Sequence, residues 1–263
     1  MHKARKRFGQ NFLVDERIVG DIVAAIQPEP ADNMVEIGPG LGALTRPLMR
    51  ILNHLHVVEI DRDIVAQLEH DYLRDVAKPK LTIHSGDALE FDFDILPAPL
   101  RIVGNLPYNI STPLLFHLAS YAGRIADMHF MLQNEVVERM VAEPSTASYG
   151  RLSVMLQYRF RIEKLFGVPP ESFRPSPKVN SAIVRMVPLP VGEIMVHNEK
   201  LFAEIVRAAF GQRRKTLRNT LRDYLNGDDF NKLGIDAQLR AENLTVEEFT
   251  KVANCLNGRR AGG

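Results

Sequence analysis

Short apolar runs alternate with amphipathic stretches along the first 190 residues of the chain. Runs rich in β-branched side chains are typical of buried strands, and five of them predict strands at residues 34–37, 55–60, 80–84, 100–103 and 127–133. Between them, apolar residues at helical spacing predict helices, the first behind a capping residue at Asp15 and others over 43–51 and 63–73. Because strand–helix–strand units need crossover connections, we expect a mostly parallel sheet with helices on both faces.

The pattern changes twice towards the end of the chain. Two strand-like runs at 160–166 and 182–187 predict a hairpin added at the sheet edge, with the proline-rich segment 173–178 as a loop between them. Beyond residue 190 the pattern is purely helical, with predicted helices at 201–210, 216–225 and 246–256; Thr245 and Glu248 form a capping box for the last. We therefore predict an α/β fold with two domains, 1–190 and a small all-α domain over 191–263.

The charge distribution is uneven although the net charge is only +1, from 33 Lys and Arg against 32 Asp and Glu. Residues 1–10 carry four Lys or Arg and no acid, and residues 205–222 carry six basic residues and no acid. Two basic blocks in a near-neutral chain are able to offer a local phosphate-binding face. The alternative for the second block is a solvated helix face. We expect phosphate contacts from Arg207, Arg213, Arg214, Lys215 and Arg218.

Composition excludes several classes of protein. Hydrophobic residues make up 45% and charged residues 25% of the chain, which is typical of a globular protein and not of a disordered, collagen-like or coiled-coil one. The single cysteine, Cys255, allows no intrachain disulfide, so we expect a reducing, cytoplasmic compartment. There is no apolar run of membrane-spanning length and no apolar segment behind the basic N-terminus, so we expect no membrane span and no secretory signal. The scattered histidines lack ligand spacing, so we expect no metal site, and we expect a monomer.

A glycine-rich turn follows the first predicted strand. Gly38, Gly40 and Gly42 allow a tight turn and close approach of a ligand, and no lysine follows them as it would in a P-loop. Glu59 ends the second strand, where a carboxylate is able to accept both hydroxyls of a ribose. Asp87, just past the third strand, is placed to receive an adenine amine. These features are shared by NAD enzymes and by S-adenosylmethionine (SAM) enzymes, and the residues alone leave both open.

The segment from Asn105 to Tyr108, Asn-Leu-Pro-Tyr, follows the fourth strand at the same end of the sheet. An exocyclic adenine amine is a poor nucleophile because its lone pair is delocalised into the ring. The side-chain oxygen of Asn105 and the carbonyl of Leu106 are able to accept its two N–H bonds and turn the lone pair towards a methyl donor. Tyr108 is able to stack on a flipped base, which contributes roughly 1–3 kcal/mol. The segment therefore indicates adenine-N6 methylation.

The ordered set of motifs resembles the bacterial small-subunit (16S) ribosomal RNA adenine-N6 dimethyltransferase family, known for kasugamycin resistance. The resemblance extends over essentially the whole chain and is carried by the segments 10–13, 36–42, 86–87, 105–108, 173–181 and 208–218, together with Glu59. It implies a Rossmann-like SAM-dependent methyltransferase sheet over 1–190 and a helical, RNA-binding or ribosome-binding domain over 191–263. It also implies SAM contacts from Asn11, Leu13, Gly38, Gly40, Glu59, Asp87 and Asn105.

The resemblance also implies a substrate. It places the target adenine at Asn105, Leu106 and Tyr108, with Phe173 as the opposite face of a stacking clamp. The implied reaction is N6,N6-dimethylation of two adjacent adenosines in a hairpin loop near the 3′ end of 16S rRNA. The substrate would be the small (30S) subunit or its late precursor, with a role in small-subunit biogenesis. A loop adenine suits base flipping because it costs less to extrude than a paired one.

Four alternatives remain at this point. A large-subunit methylase of the erythromycin-resistance type would share fold and chemistry, but the segments 8–13 and 208–218 fit the small-subunit family better. A DNA adenine methylase would more often carry a second proline where Leu106 stands. An NAD dehydrogenase would use the glycine turn and Glu59 but has no use for residues 105–108. A ribosome-assembly factor that only binds would not need an intact Asn-Leu-Pro-Tyr segment.

Overall fold

The chain forms two compact units. The structure is a computed structural model that describes residues 10–76, 80–107, 109–190, 192–193 and 195–261, except the side chains at 76, 260 and 261. The first unit contains Met1–Val137 and Ile162–Pro188, and the second contains Glu138–Arg161 and Leu189–Gly263. The domain boundary predicted at residue 190 differs from this division, because the structure also places Glu138–Arg161 in the second unit.

The strands lie where the apolar runs predict them. In the described part of the chain they are β1 (Phe12–Leu13), β2 (Asn33–Ile37), β3 (Leu55–Glu59), β4 (Leu81–Ser85), β5 (Leu100–Asn105), β6 (Ile125–Gln133), β7 (Phe160–Val168), β8 (Phe173–Arg174) and β9 (Ser181–Pro188). The helices are α1 (Glu16–Ile26), α2 (Thr45–Ile51), α3 (Arg62–Asp71), α4 (Leu73–Val76), α5 (Ser111–Ala119), α6 (Asn134–Met140), α7 (Arg151–Gln157), α8 (Glu199–Ala209), α9 (Leu217–Thr220), α10 (Gly227–Leu233) and α11 (Val246–Ala261).

Seven strands form one sheet in the order β4-β3-β2-β5-β6-β9-β7. The pairs from β4 through β6 are all parallel, and β9 is antiparallel to β6. The mostly parallel sheet is therefore confirmed, and the two strands predicted as a hairpin are neighbours at its edge. The chain runs outward from β2 to β3 and β4 and then returns to the other side of β2 as β5. Such a reversal opens a crevice at the carboxyl ends of the strands, which is where open α/β sheets bind ligands.

Burial of apolar side chains explains why these elements form. Met34 and Val35 in β2 and Ile102 in β5 have no exposed surface. Asp15 caps helix α1, because its carboxylate accepts the backbone N–H groups of Arg17 and Ile18. The helix buries Ile18, Ile22 and Ile26 as the helical spacing predicts. At about 25 cal/mol per Å² of apolar surface removed from water, this burial is the main stabilising contribution to the unit.

A two-residue strand pairing lies outside the main sheet. β1 and β8 are antiparallel, with Leu13 opposite Phe173 and Phe12 opposite Arg174. The loop predicted over 173–178 is wrong for Phe173 and Arg174, which are extended because they pair with a segment distant in sequence. The same pairing holds the segment 10–13, which is named the N-terminal strap.

Residues 138–161 pack against the C-terminal helices within the second unit. The ring of Tyr158, just after α7, lies 4.7 Å from that of Phe202 in α8. The hydroxyl of Tyr149 donates to the carbonyl oxygen of Leu244 at 2.8 Å. Both tyrosines are buried, so the segment contributes to the same core as the C-terminal helices.

One predicted helix is mostly absent. The leucine spacing predicts a helix over 216–225, whereas α9 covers only Leu217–Thr220. The backbone N–H of Leu217 donates to Leu239 O at 2.8 Å, and that of Arg218 donates to Ala237 O at 3.0 Å. Leu217, Leu221 and Leu225 are nevertheless buried. These bonds satisfy first-turn N–H groups at the start of α9. After Thr220 the chain continues in turns, in which the N–H groups of Tyr224 and Leu225 donate to Leu221 O, and the same leucines still fill the core.

The capping box of the last helix is confirmed, and its contribution to stability is testable. Thr245 Oγ1 accepts the backbone N–H of Glu248 at 3.2 Å, and Glu248 Oε2 accepts that of Thr245 at 2.8 Å. Replacing Thr245 with alanine is expected to lower the free energy of unfolding by about 1 kcal/mol, measured by urea denaturation. Thr245→Ser retains the hydroxyl acceptor and should stay close to wild type; equal losses in both variants would contradict a capping role.

Candidate active site at the carboxyl ends of the strands

An open cleft lies in the first unit at the carboxyl ends of β2, β3, β4 and β5. Its walls are the N-terminal strap, the glycine turn after β2, the ends of β3 and β4, and the loop after β5. The predicted residues that line it are Asn11, Leu13, Gly38, Gly40, Glu59, Asp87, Asn105 and Leu106. The cleft therefore brings together every residue predicted to contact the cofactor, along with two of the residues predicted to hold the base.

The glycine turn has the backbone conformation that glycine favours. Gly38 and Gly40 have φ angles of +67° and +54°, in the left-handed region where other residues are strained. The N–H of Gly38 donates to Val58 O at 2.9 Å, which ties the turn to the end of β3. A Cβ on Gly40 would lie 3.1 Å from Cδ1 of Phe12 in the strap. The turn and the strap are therefore in close contact at the rim of the cleft.

Two carboxylates line the cleft at the ends of β3 and β4. Glu59 is 6% exposed, and its Oε1 accepts the backbone N–H of Asp61 at 2.9 Å. Burial raises the pKa of Glu59, and the nearby charge of Asp61 adds to this increase. Asp87 is half-buried, and its Oδ1 accepts the N–H of Leu89 at 2.9 Å. Each carboxyl group is thus held in place by a backbone N–H group at the edge of the cleft.

Asn105 joins the strap to the end of β5. Its Nδ2 donates to the carbonyl oxygen of Asn11 at 2.9 Å. With Nδ2 engaged in this way, Oδ1 is the atom of the amide that is able to accept a hydrogen bond from a substrate amine. Leu106 is buried, and its N–H donates to Met131 O at 3.2 Å, which fixes the peptide on the side of β6. Tyr108 lies outside the described residues.

Glu36 is a cleft residue that the sequence reasoning did not single out as a site residue. It is 2% exposed, and Thr45 Oγ1 donates to its Oε2 at 2.7 Å. The pKa of Glu36 is raised to about 7, mainly by burial; the Thr45 hydrogen bond opposes the increase and the nearby charge of Glu59 adds to it. Its position as the first residue of the Glu-Ile-Gly-Pro-Gly motif is a signal that could have marked it.

The raised pKa of Glu36 makes stability depend on pH. The unfolded chain loses this proton near pH 4.5 and the folded chain near 7, so the folded state is progressively disfavoured as pH rises through that range. Glu36→Gln is expected to be more stable than wild type by about 3 kcal/mol above this range, with the difference vanishing below it. Thermal unfolding of both ligand-free proteins across the pH range measures this; a pH-independent difference would contradict the assigned burial cost.

The residues of the cleft fit SAM. The glycine turn leaves its backbone accessible, and two anchored carboxylates stand where ribose hydroxyls and an amine would need acceptors. The cleft wall also contains the apolar side chain of Ile60, which is 44% exposed next to Glu59 and presents a surface for a flat ring. Within the described residues, there is no group of three or more histidine, cysteine or acidic residues arranged to hold a metal ion.

Comparison with known proteins assigns the family. A family model described as ribosomal RNA adenine dimethylase matches residues 1–258. The chain belongs to the ribosomal RNA adenine dimethylase family. The dimethylase is 63% identical over 261 residues to the ribosomal RNA small subunit methyltransferase A of Nitrosospira multiformis, which covers 99% of each chain. It is 60% identical to the protein of the same name from Chromobacterium violaceum, over 100% of this chain and 99% of that one.

Solved structures share the fold of the dimethylase. A dimethyladenosine transferase from Plasmodium falciparum superposes with a TM-score of 0.82 at 25% identity, covering 95% of this chain and 98% of the other. The 23S rRNA methyltransferase ErmE gives a TM-score of 0.71 at 23% identity over 94% of this chain and 100% of the other, a likeness of fold. The Rossmann-like methyltransferase fold and the SAM-dependent adenine dimethyltransferase activity predicted from the motifs are confirmed, and SAM is the cofactor.

Phe173 is not at the cleft of the dimethylase. Its side chain has 0% exposure and packs in a hydrophobic cluster with Leu13 and Ile183. A stacking partner needs an exposed ring face, which Phe173 does not present in this structure, and its place opposite the target base stays a prediction. Side chains alternate along a strand, and in β8 the inward position is Phe173 while the exposed one is Arg174. Phe173 instead anchors the pairing that holds the N-terminal strap.

The predicted phosphate-binding residues of the dimethylase lie in the second unit and are exposed: Arg207, Arg213, Arg214, Lys215 and Arg218. Arg213 differs from the others, because its guanidinium donates to Ala147 O at 2.7 Å and to Glu242 at 3.4 Å. The remaining four have no carboxylate partner in the described part of the chain. No helix built from the described residues has the length and apolar character needed to cross a bilayer.

Proposed function

We propose that the dimethylase acts on two adjacent adenosines in the hairpin loop near the 3′ end of 16S rRNA, within the 30S subunit or its late precursor, and takes part in small-subunit biogenesis. The relatives at 60–63% identity carry the name ribosomal RNA small subunit methyltransferase A and align along nearly the whole chain. The main structural support is Asn105, whose amide is oriented by Asn11 at the wall of the cofactor cleft.

The proposed chemistry assigns a role to each group after β5. SAM supplies an electrophilic methyl group on its sulfonium when it is bound. Asn105 Oδ1 and the carbonyl oxygen of Leu106 accept the two N–H bonds of the adenine amine, which directs the nitrogen lone pair into the cleft. Pro107 has no N–H and leaves that carbonyl available, and Tyr108 stacks on the base. Positioning and electrostatics then supply most of the rate enhancement, without a general base of shifted pKa.

The proposed cofactor contacts follow the two walls of the cleft. Glu59 accepts the ribose hydroxyls, and Asp87 accepts the adenine amine of the cofactor. The backbone of Gly38 and Gly40 approaches the ligand closely, with Asn11, Leu13 and Asn105 closing the site. Buried acceptors with fixed geometry favour a ligand with matching donors, because an unmatched donor or acceptor would remain unsatisfied there.

The second unit is proposed to bind rRNA, with a monomeric protein acting in the cytoplasm. Arg207, Arg214, Lys215 and Arg218 present charge to solvent, whereas Arg213 holds the loop around Ala147. Nucleic-acid backbones are bound largely through such cations, and each phosphate contact steepens the salt dependence of binding. The helical unit would then contribute affinity for the ribosome without contributing to the chemistry.

Charge reversal in the second unit tests whether this unit contributes to RNA binding and not to SAM binding. The double variant Arg214→Glu/Lys215→Glu is expected to bind small subunits about tenfold more weakly and to lower the slope of log K against log salt by about 2. Its SAM affinity, measured by calorimetry, should not change. A matched control is Lys200→Glu/Lys251→Glu, which makes the same charge change at exposed sites of the same unit. Equal weakening in both doubles, or a parallel loss of SAM affinity, would contradict the proposal.

The position of modification is testable by reverse transcription. Undermethylated small subunits are incubated with enzyme and SAM, and the 16S rRNA is then copied from a 3′ primer. N6,N6-dimethyladenosine cannot form a Watson–Crick pair and stops the polymerase. We expect stops at two neighbouring adenosines of the 3′ hairpin loop only when both enzyme and SAM are present. Stops elsewhere in the RNA would overturn the proposed target, and unchanged stops with an inactive Asn105→Ala variant would show that another activity made them.

A further inference from the structure

A chain of hydrogen bonds connects the N-terminal strap to the carboxylate of Glu59. Gln10 Nε2 donates to Asp61 Oδ2 at 3.0 Å, although the two residues are far apart in sequence. The backbone N–H of Asp61 donates to Glu59 Oε1 at 2.9 Å. Asp61 Oδ1 accepts the N–H of Asp63 at 3.1 Å and caps helix α3. Asp61 is therefore bonded to the strap, to Glu59 and to the helix at the same time.

The hydrogen bonds to Glu59 and Asp61 matter for stability because both carboxyl groups are buried. Asp61 has 0% exposure and Glu59 has 6%, so both carboxyl groups are largely removed from water. A buried carboxylate is costly unless donors surround it, and the amide of Gln10 is one such donor. Two acids this close also repel each other, so the donors decide how Glu59 and Asp61 are held. The strap is bound a second time where Asn105 Nδ2 donates to Asn11 O, so it is attached to both walls of the cleft.

We propose that Gln10 and Asp61 form a latch that positions Glu59 for the cofactor, which makes both of them positioning residues for SAM binding. When the strap is in place, Gln10 holds the Asp61 carboxylate, and the peptide N–H of Asp61 holds Glu59 Oε1 in a fixed direction. Backbone N–H groups of Gly40 and Ile60 also bond this carboxylate, and Glu59 lines the cleft, so its fixed orientation determines how it is presented to a ligand. This inference rests on the proposed role of Glu59 as the ribose acceptor. The latch acts on the proposed ribose acceptor and not on Asn105, where the target amine is proposed to bind, so we expect its contribution in cofactor affinity and not in the chemical step.

The latch predicts a specific pattern of loss and rescue. In Asp61→Asn, the side-chain oxygen still caps α3, since asparagine and aspartate are equally good caps, and Gln10 is able to turn its amide so that Oε1 accepts from the new NH2 group. In Gln10→Glu, two carboxylates face each other. In the double variant Gln10→Glu/Asp61→Asn, the new amide in α3's cap donates to the new carboxylate in the strap, which restores the bond with reversed direction and leaves the net charge unchanged. Gln10→Glu should weaken SAM binding about tenfold or more, whereas Asp61→Asn and the double variant should stay within about threefold of wild type.

The experiment measures SAM affinity of the full-length protein by calorimetry, together with kcat and the KM for SAM on small subunits. We expect Gln10→Glu to raise KM for SAM with kcat nearly unchanged, and the addition of Asp61→Asn to reverse this. Gln10→Ala should resemble Gln10→Glu in affinity and should also unfold at a lower temperature than wild type, because the buried Asp61 carboxylate loses a donor. A double variant that binds SAM as weakly as Gln10→Glu, or a fall in kcat with KM unchanged, would overturn the latch.

A further variant separates failure of the latch from failure of the proposed cofactor site. Glu59→Gln retains size but weakens acceptance from ribose hydroxyls, and we expect its SAM affinity to fall at least as far as in Gln10→Glu. If Glu59→Gln binds SAM as well as wild type does, the role of Glu59 is wrong, and the latch has no function. If Glu59→Gln is impaired while Gln10→Glu and Gln10→Ala are not, the cofactor site stands and the latch alone is rejected.

Discussion

Replacing Asn105 with alanine is expected to lower the rate of methyl transfer by about a hundredfold to a thousandfold, the usual cost of removing one well-placed polar group from a catalytic site. The amide of Asn105 is oriented by its bond to Asn11 O at 2.9 Å and lies at the wall of the cofactor cleft. Without its Oδ1, one N–H bond of the adenine amine loses its acceptor, and the lone pair is no longer directed. Single-turnover methyl transfer at saturating SAM measures the effect.

Two comparison variants make the Asn105 result specific. Asn105→Asp keeps an acceptor but sets a carboxylate against Asn11 O, so it should also be impaired. Asn53→Ala changes an exposed asparagine that does not line the cleft, and it should retain wild-type rates. Methyl transfer by Asn105→Ala within about threefold of wild type would contradict the assigned role.

Gly104→Ala is expected to impair both folding and activity. A Cβ on Gly104 would lie 2.4 Å from Ile37 O and 3.2 Å from Cδ2 of Leu106, so β5 and β2 would have to separate where the glycine turn and Asn105 meet. The contact with Ile37 O involves backbone on both sides, and a side-chain rotation cannot relieve it. Overpacking of this kind costs about 1–3 kcal/mol or more, and displacement of Asn105 adds a loss of catalytic rate.

Urea denaturation and single-turnover kinetics of Gly104→Ala test this, with Gly123→Ala as the matched control. Nothing lies within 4 Å of a Cβ built on Gly123, and its φ is not positive, so its substitution should be neutral. A Gly104→Ala protein with wild-type stability and rate would show that the two strands do not approach as closely at this point. Loss of stability with unchanged activity would show that the spacing supports the fold but not the site.

Much of the cleft was predictable because the carboxyl ends of parallel strands meet at one edge of a sheet. Glu59 and Asn105 each end a strand that its apolar run predicts, so their proximity follows once the strands are parallel. The glycine turn follows from the need for positive φ at Gly38 and Gly40. These inferences use local pattern and one topological rule, and they needed no knowledge of side-chain packing.

What sequence reasoning missed depends on contacts between distant segments. Phe173 follows a proline-rich pattern that predicts a loop, but the pairing of β8 with β1 turns its ring into the core. Residues 216–225 have helical leucine spacing, yet the helix ends at Thr220 and its leucines reach the core from turns, with its first-turn N–H groups bonded to the segment 237–239. The contact of Gln10 with Asp61 likewise joins residues that no local pattern relates. In each case the deciding energy is a tertiary hydrogen bond or burial, which periodicity does not encode.

The most direct measurement of the central claim is methyl transfer from labelled SAM, followed by digestion of the RNA to nucleosides. Undermethylated small subunits, naked 16S rRNA and large subunits are incubated in parallel with wild-type enzyme and with Asn105→Ala. The account predicts that label appears as N6,N6-dimethyladenosine from small subunits with wild-type enzyme and is nearly absent with the variant. Label in large-subunit rRNA, or in a nucleoside other than methylated adenosine, would contradict it.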